Sequence, residues 1–153
     1  MFIICRAGGR DKFSHCDTCG LCLPSGKTHK CISNTSHNNC PVCLEDIHTS
    51  RLEAHIPPCS HLLHMECFVG MMKQGLYACP TCGLSMQDMS RVWANIDSEV
   101  ASTPMPTEYA GLYREILCKD CNKTCTAVFH IVGMKCNSCG SYNTTLDKGP
   151  LLR

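Results

Sequence analysis

Cys40-Pro-Val-Cys43, Cys59-Ser-His61, His64-Met-Glu-Cys67 and Cys79-Pro-Thr-Cys82 place eight metal-ligand side chains between residues 40 and 82. Four pairs of sulfur and imidazole donors are enough for two tetrahedral zinc ions with no open position. A Cys-x2-Cys pair suits zinc because its short turn lets both sulfurs reach one ion at about 2.3 Å. Each pair then needs a second from elsewhere. Sequential pairing joins Cys40/Cys43 to Cys59/His61, and His64/Cys67 to Cys79/Cys82. Interleaved pairing joins Cys40/Cys43 to His64/Cys67, and Cys59/His61 to Cys79/Cys82. Both give two sites of three cysteines and one histidine, so spacing leaves the pairing open.

Composition points the same way. Sixteen cysteines in 153 residues stand against only 6% aromatic residues. A large apolar core is therefore not expected, and modules of about 30 to 45 residues need a staple. Eight histidines interleaved with the cysteine pairs select zinc over disulfides, because a disulfide framework has no use for histidine. Met1-Phe2-Ile3-Ile4 runs straight into Cys5-Arg6 with no apolar signal stretch, and no apolar run reaches the roughly 20 residues of a membrane span. The expectation is a reducing, intracellular setting with no membrane partner.

The formal charge of +1 shifts once zinc-bound cysteines are counted as thiolates. Two sites of three cysteines and one histidine plus one all-cysteine site take it to about −3. Lysine and arginine form no runs and no stripe interleaved with aromatics, so nucleic-acid binding has no electrostatic footing.

Working outward, the chain divides at residues 1–35, 36–86, 87–113, 114–145 and 146–153. In the third segment Met89, Trp93, Ile96 and Val100 recur with the period of an amphipathic helix. Ser85 with Asp88 is its start signal, and Thr103-Pro104-Met105-Pro106 ends it. Trp93 is read as a packing anchor against the octet module. Cys118-x2-Cys121 and Cys136-x2-Cys139 form one all-cysteine site clamping a small antiparallel sheet, a zinc ribbon. Alternation of Ala127, Phe129 and Ile131 with Val128, His130 and Val132 predicts a strand, and Gly133 a turn. Cys125 is read as a bystander thiol and His130 as a strand residue. Residues 146–153 are expected to be a disordered tail.

The front of the chain holds seven ligand types, Cys5, His15, Cys16, Cys19, Cys22, His29 and Cys31. Seven is an odd number for tetrahedral sites. Cys19, Cys22, His29 and Cys31 would make one complete site. Interleaving would instead join His15/Cys16 to His29/Cys31 and leave Cys5, Cys19 and Cys22 one ligand short. Sequence leaves both open.

The octet, with Pro80 after its seventh ligand, resembles a RING-H2 finger. The whole chain resembles the RING and CHY zinc-finger ubiquitin ligases. The match is carried by Cys-Arg-Ala-Gly-Gly-Arg at 5–10, His15-Cys-Asp-Thr-Cys-Gly-Leu-Cys22, His29-Lys-Cys31, Cys40-Pro-Val-Cys-Leu-Glu-Asp-Ile-His-Thr-Ser50 and Thr103-Pro-Met-Pro-Thr-Glu-Tyr109. The CHY finger and the start of the CTCHY finger are absent from the sequence. The fold class implied is a series of small zinc-stabilised α+β modules: truncated CTCHY finger, cross-braced RING-H2, linker helix and zinc ribbon.

The resemblance implies the interleaved pairing. It also implies that Val42, Leu44, Met71 and Pro80 form a shallow groove for a ubiquitin-conjugating enzyme, with Met71 where many members carry Trp. Its function would be non-covalent transfer of ubiquitin to substrate lysines, leading to degradation, with no residue of the chain acting as a chemical catalyst. Partners implied are ubiquitin, the conjugating enzyme and protein substrates, among them tumour-suppressor and cell-cycle regulators, in cytoplasm and nucleus. Many members carry Arg or Lys directly after the eighth ligand, where it favours the reactive thioester; Gly83 stands there in this chain. The competing expectation is a catalytically weak zinc-binding interaction module that competes for partners.

Overall fold

The backbone is set first by the turns that carry the cysteine pairs. In the computed structural model, which describes residues 13–26, 29–147, 149, 150 and 152, these turns repeat one geometry. The amide of the residue after the second cysteine donates to the carbonyl of the first: Gly20 to Cys16 at 2.8 Å, Leu44 to Cys40 at 2.9 Å and Gly140 to Cys136 at 2.8 Å. The amide of the first cysteine reaches the carbonyl five residues on, from Cys40 to Glu45, Cys118 to Lys123 and Cys136 to Ser141, at 2.8–3.0 Å. Closing the turn this tightly requires a left-handed residue after the second cysteine. Gly20, Leu44, Gly83, Asn122 and Gly140 all have φ between 53° and 77°. Glycine adopts this freely, and asparagine tolerates it.

The chain divides into two compact units, Met1–Cys82 and Gly83–Arg153. In the first, β1 (Phe13–Cys16) and β2 (Leu21–Pro24) form an antiparallel hairpin with His15 opposite Cys22 and Cys16 opposite Leu21. A 3-10 turn at Thr35–His37 packs under it. There Ser36 is fully buried, and a Cβ on Gly20 would stand 2.5 Å from its Oγ. Two short strands, β3 (Ala54–His55) and β4 (Leu63–His64), lead directly into helix α1 (Met65–Lys73). Among the described residues, Ile47, Leu62 and Leu63 are the buried aliphatic side chains of this unit. So few interior residues could not hold the unit together without its metal sites.

The second unit has helix α2 (Ser90–Ser102) and a three-stranded antiparallel sheet ordered β6-β5-β7, from β5 (Tyr113–Cys118), β6 (Thr124–Val128) and β7 (Thr144–Leu146). Met86, Met89, Leu112, Ile116 and Ala127 form its apolar interior. Three expectations change here. The helix starts at Ser90, where Asp88 accepts the Ser90 amide at 2.9 Å; Ser85 is engaged elsewhere. Within this unit Trp93 meets the Tyr142 ring at 6.0 Å. The strand covers Thr124–Val128 rather than 127–132, because pairing with Tyr113–Leu117 sets its register. Residues 146–153 are not a uniformly disordered tail: Leu146 pairs with Ile116, and Leu152 exchanges two backbone hydrogen bonds with Tyr113 at 2.9 Å.

Helix and sheet are tied by polar contacts. Lys135 donates to Asp97 at 2.6 and 2.8 Å, and the Tyr142 hydroxyl donates to the same carboxylate at 2.8 Å. His130, expected to be a strand residue, lies beyond β6 and bridges to the Thr103 carbonyl at 2.8 Å through Nε2, while its Nδ1 accepts the Val132 amide at 3.2 Å. That pair of contacts selects the Nε2–H tautomer.

Asp120, between the ribbon's first two cysteines, is the centre of a second network. Its Oδ1 accepts the Ser85 amide at 2.9 Å and Asn143 Nδ2 at 2.8 Å; its Oδ2 accepts the hydroxyls of Ser85 at 2.9 Å and Ser141 at 2.6 Å. Asn143 also donates to the Gly83 carbonyl at 2.7 Å. Burial alone would push the Asp120 carboxyl up, but these donors outweigh it and hold it below the usual carboxylate range. Segment 83–85 is thereby fastened to the ribbon. Replacing Asp120 with Ala strands the buried Ser141 and Asn143 donors, a loss of about 1–3 kcal/mol for each buried group left unsatisfied. Amide exchange at Ser85 and Asn143 in the zinc-loaded chain is expected to rise by more than tenfold; unchanged protection there would refute the role given to this carboxylate.

Candidate metal centres and partner surface

Among the described residues, four groups of four ligand atoms converge, with every atom of a group within 4.8 Å of the others: Cys16/Cys19/His29/Cys31, Cys40/Cys43/His64/Cys67, Cys59/His61/Cys79/Cys82 and Cys118/Cys121/Cys136/Cys139. Bonds of about 2.3 Å to a tetrahedral zinc put sulfurs about 3.8 Å apart. Cys118 and Cys139 stand 3.5 Å apart, Cys121 and Cys136 3.7 Å, and Cys16 and Cys31 4.0 Å. Those spacings fit an ion between the sulfurs and are far too long for disulfides, whose bond is about 2.05 Å. The cysteines of all four clusters are free thiols.

The second and third groups settle the octet as cross-braced. Each ligand pair is held by its own local element. Cys40/Cys43 lies on a turn closed by Glu45 and Leu44. His64 ends β4 and stands at the N-terminus of α1, which carries Cys67 one turn on. The His64 ring is fully buried, with Nδ1 3.2 Å from Cys43 Sγ. Nδ1, close to that sulfur, is the nitrogen facing the cluster, and Nε2 is buried without a hydrogen-bond partner.

The electrostatics also call for a cation. Burial, then the Cys43 and Cys40 sulfurs, push the Cys67 thiol up to about 12. Burial and neighbouring sulfurs likewise drive Cys59 and Cys139 up to about 12, against opposing amides of His61 and Ser141. Burial would raise Cys40 and Cys136 too, yet surrounding amides outweigh it and bring them down to about 7 and 6. Each cluster thus stabilises one thiolate readily and resists the next. A divalent ion removes that conflict by compensating all the thiolates together. Zinc fits the donor sets, and these residues would hold it.

The front cluster differs from both sequence alternatives. Cys16 pairs with Cys19, His29 and Cys31; His29 Nε2 is 3.4 Å from Cys19 Sγ. Cys22 is not in this group because Leu23, which follows it, is a β2 residue paired with Ser14 and cannot close the turn. Gly20 after Cys19 can. The glycine directly following the second cysteine was the signal in the sequence. Cys22 and His15 face each other across the hairpin, with Cys22 Sγ 3.6 Å from His15 Nδ1. Cys5 lies outside the described residues.

Cys125 belongs to none of the groups, yet its thiol donates toward Cys136 Sγ at 3.8 Å. Burial and then the Cys136 and Cys118 sulfurs push it up. His130 lies outside the metal groups, in keeping with the sequence reading.

The residues expected to meet a conjugating enzyme are carried by the metal-bound segments. Leu44 is 72% exposed and Val42 42% exposed, on the first turn. Pro80 is exposed on the last turn, and Met71 is half-buried on α1. Leu76, 52% exposed and hydrogen-bonded through its amide to the Met71 carbonyl at 2.9 Å, is an apolar neighbour the sequence reading missed. Leu44 is held at φ 64° by the metal turn. A bulky residue there is strained by about 1 kcal/mol and still points its side chain at solvent.

A cross-braced pair of three-cysteine, one-histidine sites followed by a four-cysteine ribbon defines a zinc-stapled RING-and-ribbon protein. Known proteins agree. Residues 38–83 match the Ring finger domain family model and residues 87–145 the zinc-ribbon family model. The chain is 42% identical over 116 residues to E3 ubiquitin-protein ligase RZFP34 of Arabidopsis thaliana, covering 76% of this chain and 40% of that protein. It is 40% identical over 149 residues to zinc finger protein BRUTUS of Arabidopsis thaliana, covering 95% of this chain and 12% of that protein. E3 ubiquitin-protein ligase SRFP1 of Oryza sativa subsp. japonica is 36% identical over 157 residues, covering 90% of this chain and 60% of that protein. The chain is a RING-finger and zinc-ribbon protein related to RING ubiquitin ligases, and it spans between about one eighth and three fifths of the length of these relatives. No helix among the described residues is long and apolar enough to cross a membrane.

The front cluster is directly testable. Replacing Cys16 with Ser lowers the zinc count by one in native mass spectrometry and exposes Cys19 and Cys31 to alkylation. Replacing Cys22 with Ser leaves Cys19 and Cys31 protected. The reverse pattern would restore the Cys19/Cys22 pairing.

Proposed function

We propose that this chain is a RING-type ubiquitin ligase module. It binds a ubiquitin-loaded conjugating enzyme through Val42, Leu44, Met71 and Pro80 and promotes transfer of ubiquitin to lysines of recruited proteins, marking them for degradation. The observation that carries this reading is the cross-brace itself, with exposed apolar side chains mounted on its metal turns. The nucleophile is the substrate lysine and the thioester belongs to the conjugating enzyme, so the chain contributes proximity and orientation rather than a reacting group. Cytoplasm and nucleus, where cysteines stay reduced, suit that chemistry.

Gly83 bears on how strongly the thioester is activated. Its φ of 77° answers the demand of the metal turn, which explains why a glycine follows the eighth ligand. The space over it is not empty: a Cβ on Gly83 would stand 3.6 Å from Lys119 Cδ and 3.7 Å from its Cγ. Lys119 thus brings a cationic side chain to the residue after Cys82, and its contribution there belongs to this proposal. The competing reading, an interaction module with little activity of its own, rests on the absence of a basic residue at position 83.

Replacing Met71 with Ala leaves zinc content unchanged and weakens the complex with the conjugating enzyme by about tenfold, the loss of roughly 1–2 kcal/mol of apolar contact. Unaltered binding and ubiquitin discharge in that variant would count against the groove. In single-turnover discharge to free lysine, Lys119→Ala slows the reaction severalfold and Lys119→Arg retains the rate. Equal rates in all three proteins would remove Lys119 from the mechanism, and no discharge from any conjugating enzyme tested would favour the interaction module.

A further inference from the structure

The ribbon holds five thiols for four coordination positions. Cys125 stands opposite Ile116 in the β5–β6 register, two residues from buried Ala127 on the same strand. Directly paired residues share a sheet face, as do residues two apart along a strand. Cys125 therefore projects from the face that carries Ile116 and, two residues further along β5, the ligand Cys118. Its sulfur is 3.8 Å from Cys136 Sγ, equal to the edge of a tetrahedral zinc-thiolate site. Asn137 holds the two segments together: its amide donates to the Cys125 sulfur, and its side chain donates to the Thr126 carbonyl at 2.7 Å.

The four ligands are unequally protected. Cys118 and Cys136 are fully buried, Cys121 is half-buried, and Cys139 is exposed. An exposed ligand is the one first reached by an electrophile or an oxidant. The surplus thiol lies against the buried, protected side of the site.

We infer that Cys125 is a reserve ligand for the ribbon's zinc, taking the fourth position with Cys118, Cys121 and Cys136 when Cys139 is withdrawn. In that exchange the metal bond to the Cys139 sulfur breaks and one to the Cys125 sulfur forms. The Cys125 thiol releases its proton to solvent, and the site keeps four thiolates and the same charge. Cys125 already meets one ligand sulfur at 3.8 Å, and the β5–β6 register sets it on the sheet face that carries the site. This inference is independent of ubiquitin transfer and stands or falls on the metal site alone.

The full chain loaded with cadmium-113 tests it, since a four-sulfur site resonates apart from sites with three sulfurs and one nitrogen or oxygen. In Cys139→Ser the ribbon line is expected to stay in the four-sulfur range, and Cys125 to become protected from alkylation. In the Cys125→Ser, Cys139→Ser double variant the line leaves that range or disappears, and chelator competition shows zinc held at least tenfold more weakly than in Cys139→Ser. Cys125→Ser alone keeps the four-sulfur line, which shows that the sheet tolerates the change. A Cys139→Ser line outside the four-sulfur range, or Cys125 still open to alkylation in that variant, would overturn the reserve role.

Discussion

Four clusters of thiols and imidazoles, each drawn within 4.8 Å, cannot carry their charge without a cation at the centre. That constraint governs everything else in this molecule. Thiolates crowded in partly buried clusters repel one another, and each loses hydration; Cys67, Cys59 and Cys139 are pushed to about 12 as a result. A divalent ion turns the same crowding into attraction. Structural zinc contributes roughly 10–16 kcal/mol per site in small peptides, and the three clusters of the first unit together far outweigh its few buried aliphatic side chains. The chain therefore folds around ions first and apolar surface second.

The metal turns convert that attraction into backbone geometry. A tight turn with its last residue left-handed presents both sulfurs to one point, and it repeats at Gly20, Leu44, Gly83, Asn122 and Gly140. Three of these five are glycines, whose freedom at positive φ makes the turn cheap. Leu44 shows that the turn can also force a large side chain into this conformation and leave it exposed. Strain at that position makes sense as the cost of an apolar contact surface, and it sits in the element nearest the first metal pair. Gly83, read from sequence as a departure from a ligase pattern, is from the backbone's side the ordinary residue for its turn.

Polar networks organise what the ions do not reach. Asp120 gathers four donors from Ser85, Ser141 and Asn143, and Asp97 gathers Lys135 and Tyr142. Fully satisfied networks of this kind specify one arrangement of neighbouring segments, because any alternative strands a donor. Neither carboxylate follows a pattern visible along the chain. Their donors lie between 21 and 45 residues away in sequence.

Ligand identity and spacing along the chain determined that this protein is a set of zinc modules, that the octet spans residues 40–82, and that a four-cysteine ribbon follows a helix. Those readings rest on local chemistry, since a Cys-x2-Cys pair carries its own geometry. Partner choice between pairs is a three-dimensional matter. The tertiary structure bore out the pairing of Cys40/Cys43 with His64/Cys67 that spacing left open and the resemblance implied, and it alone set Cys16 rather than Cys22 with Cys19. It also brought Cys125 to the ribbon's edge and drew Leu146 and Leu152 onto β5. In each case the deciding quantity is strand register or turn closure. Both depend on which distant backbone groups satisfy one another, and that information is absent from the order of residues around any single motif.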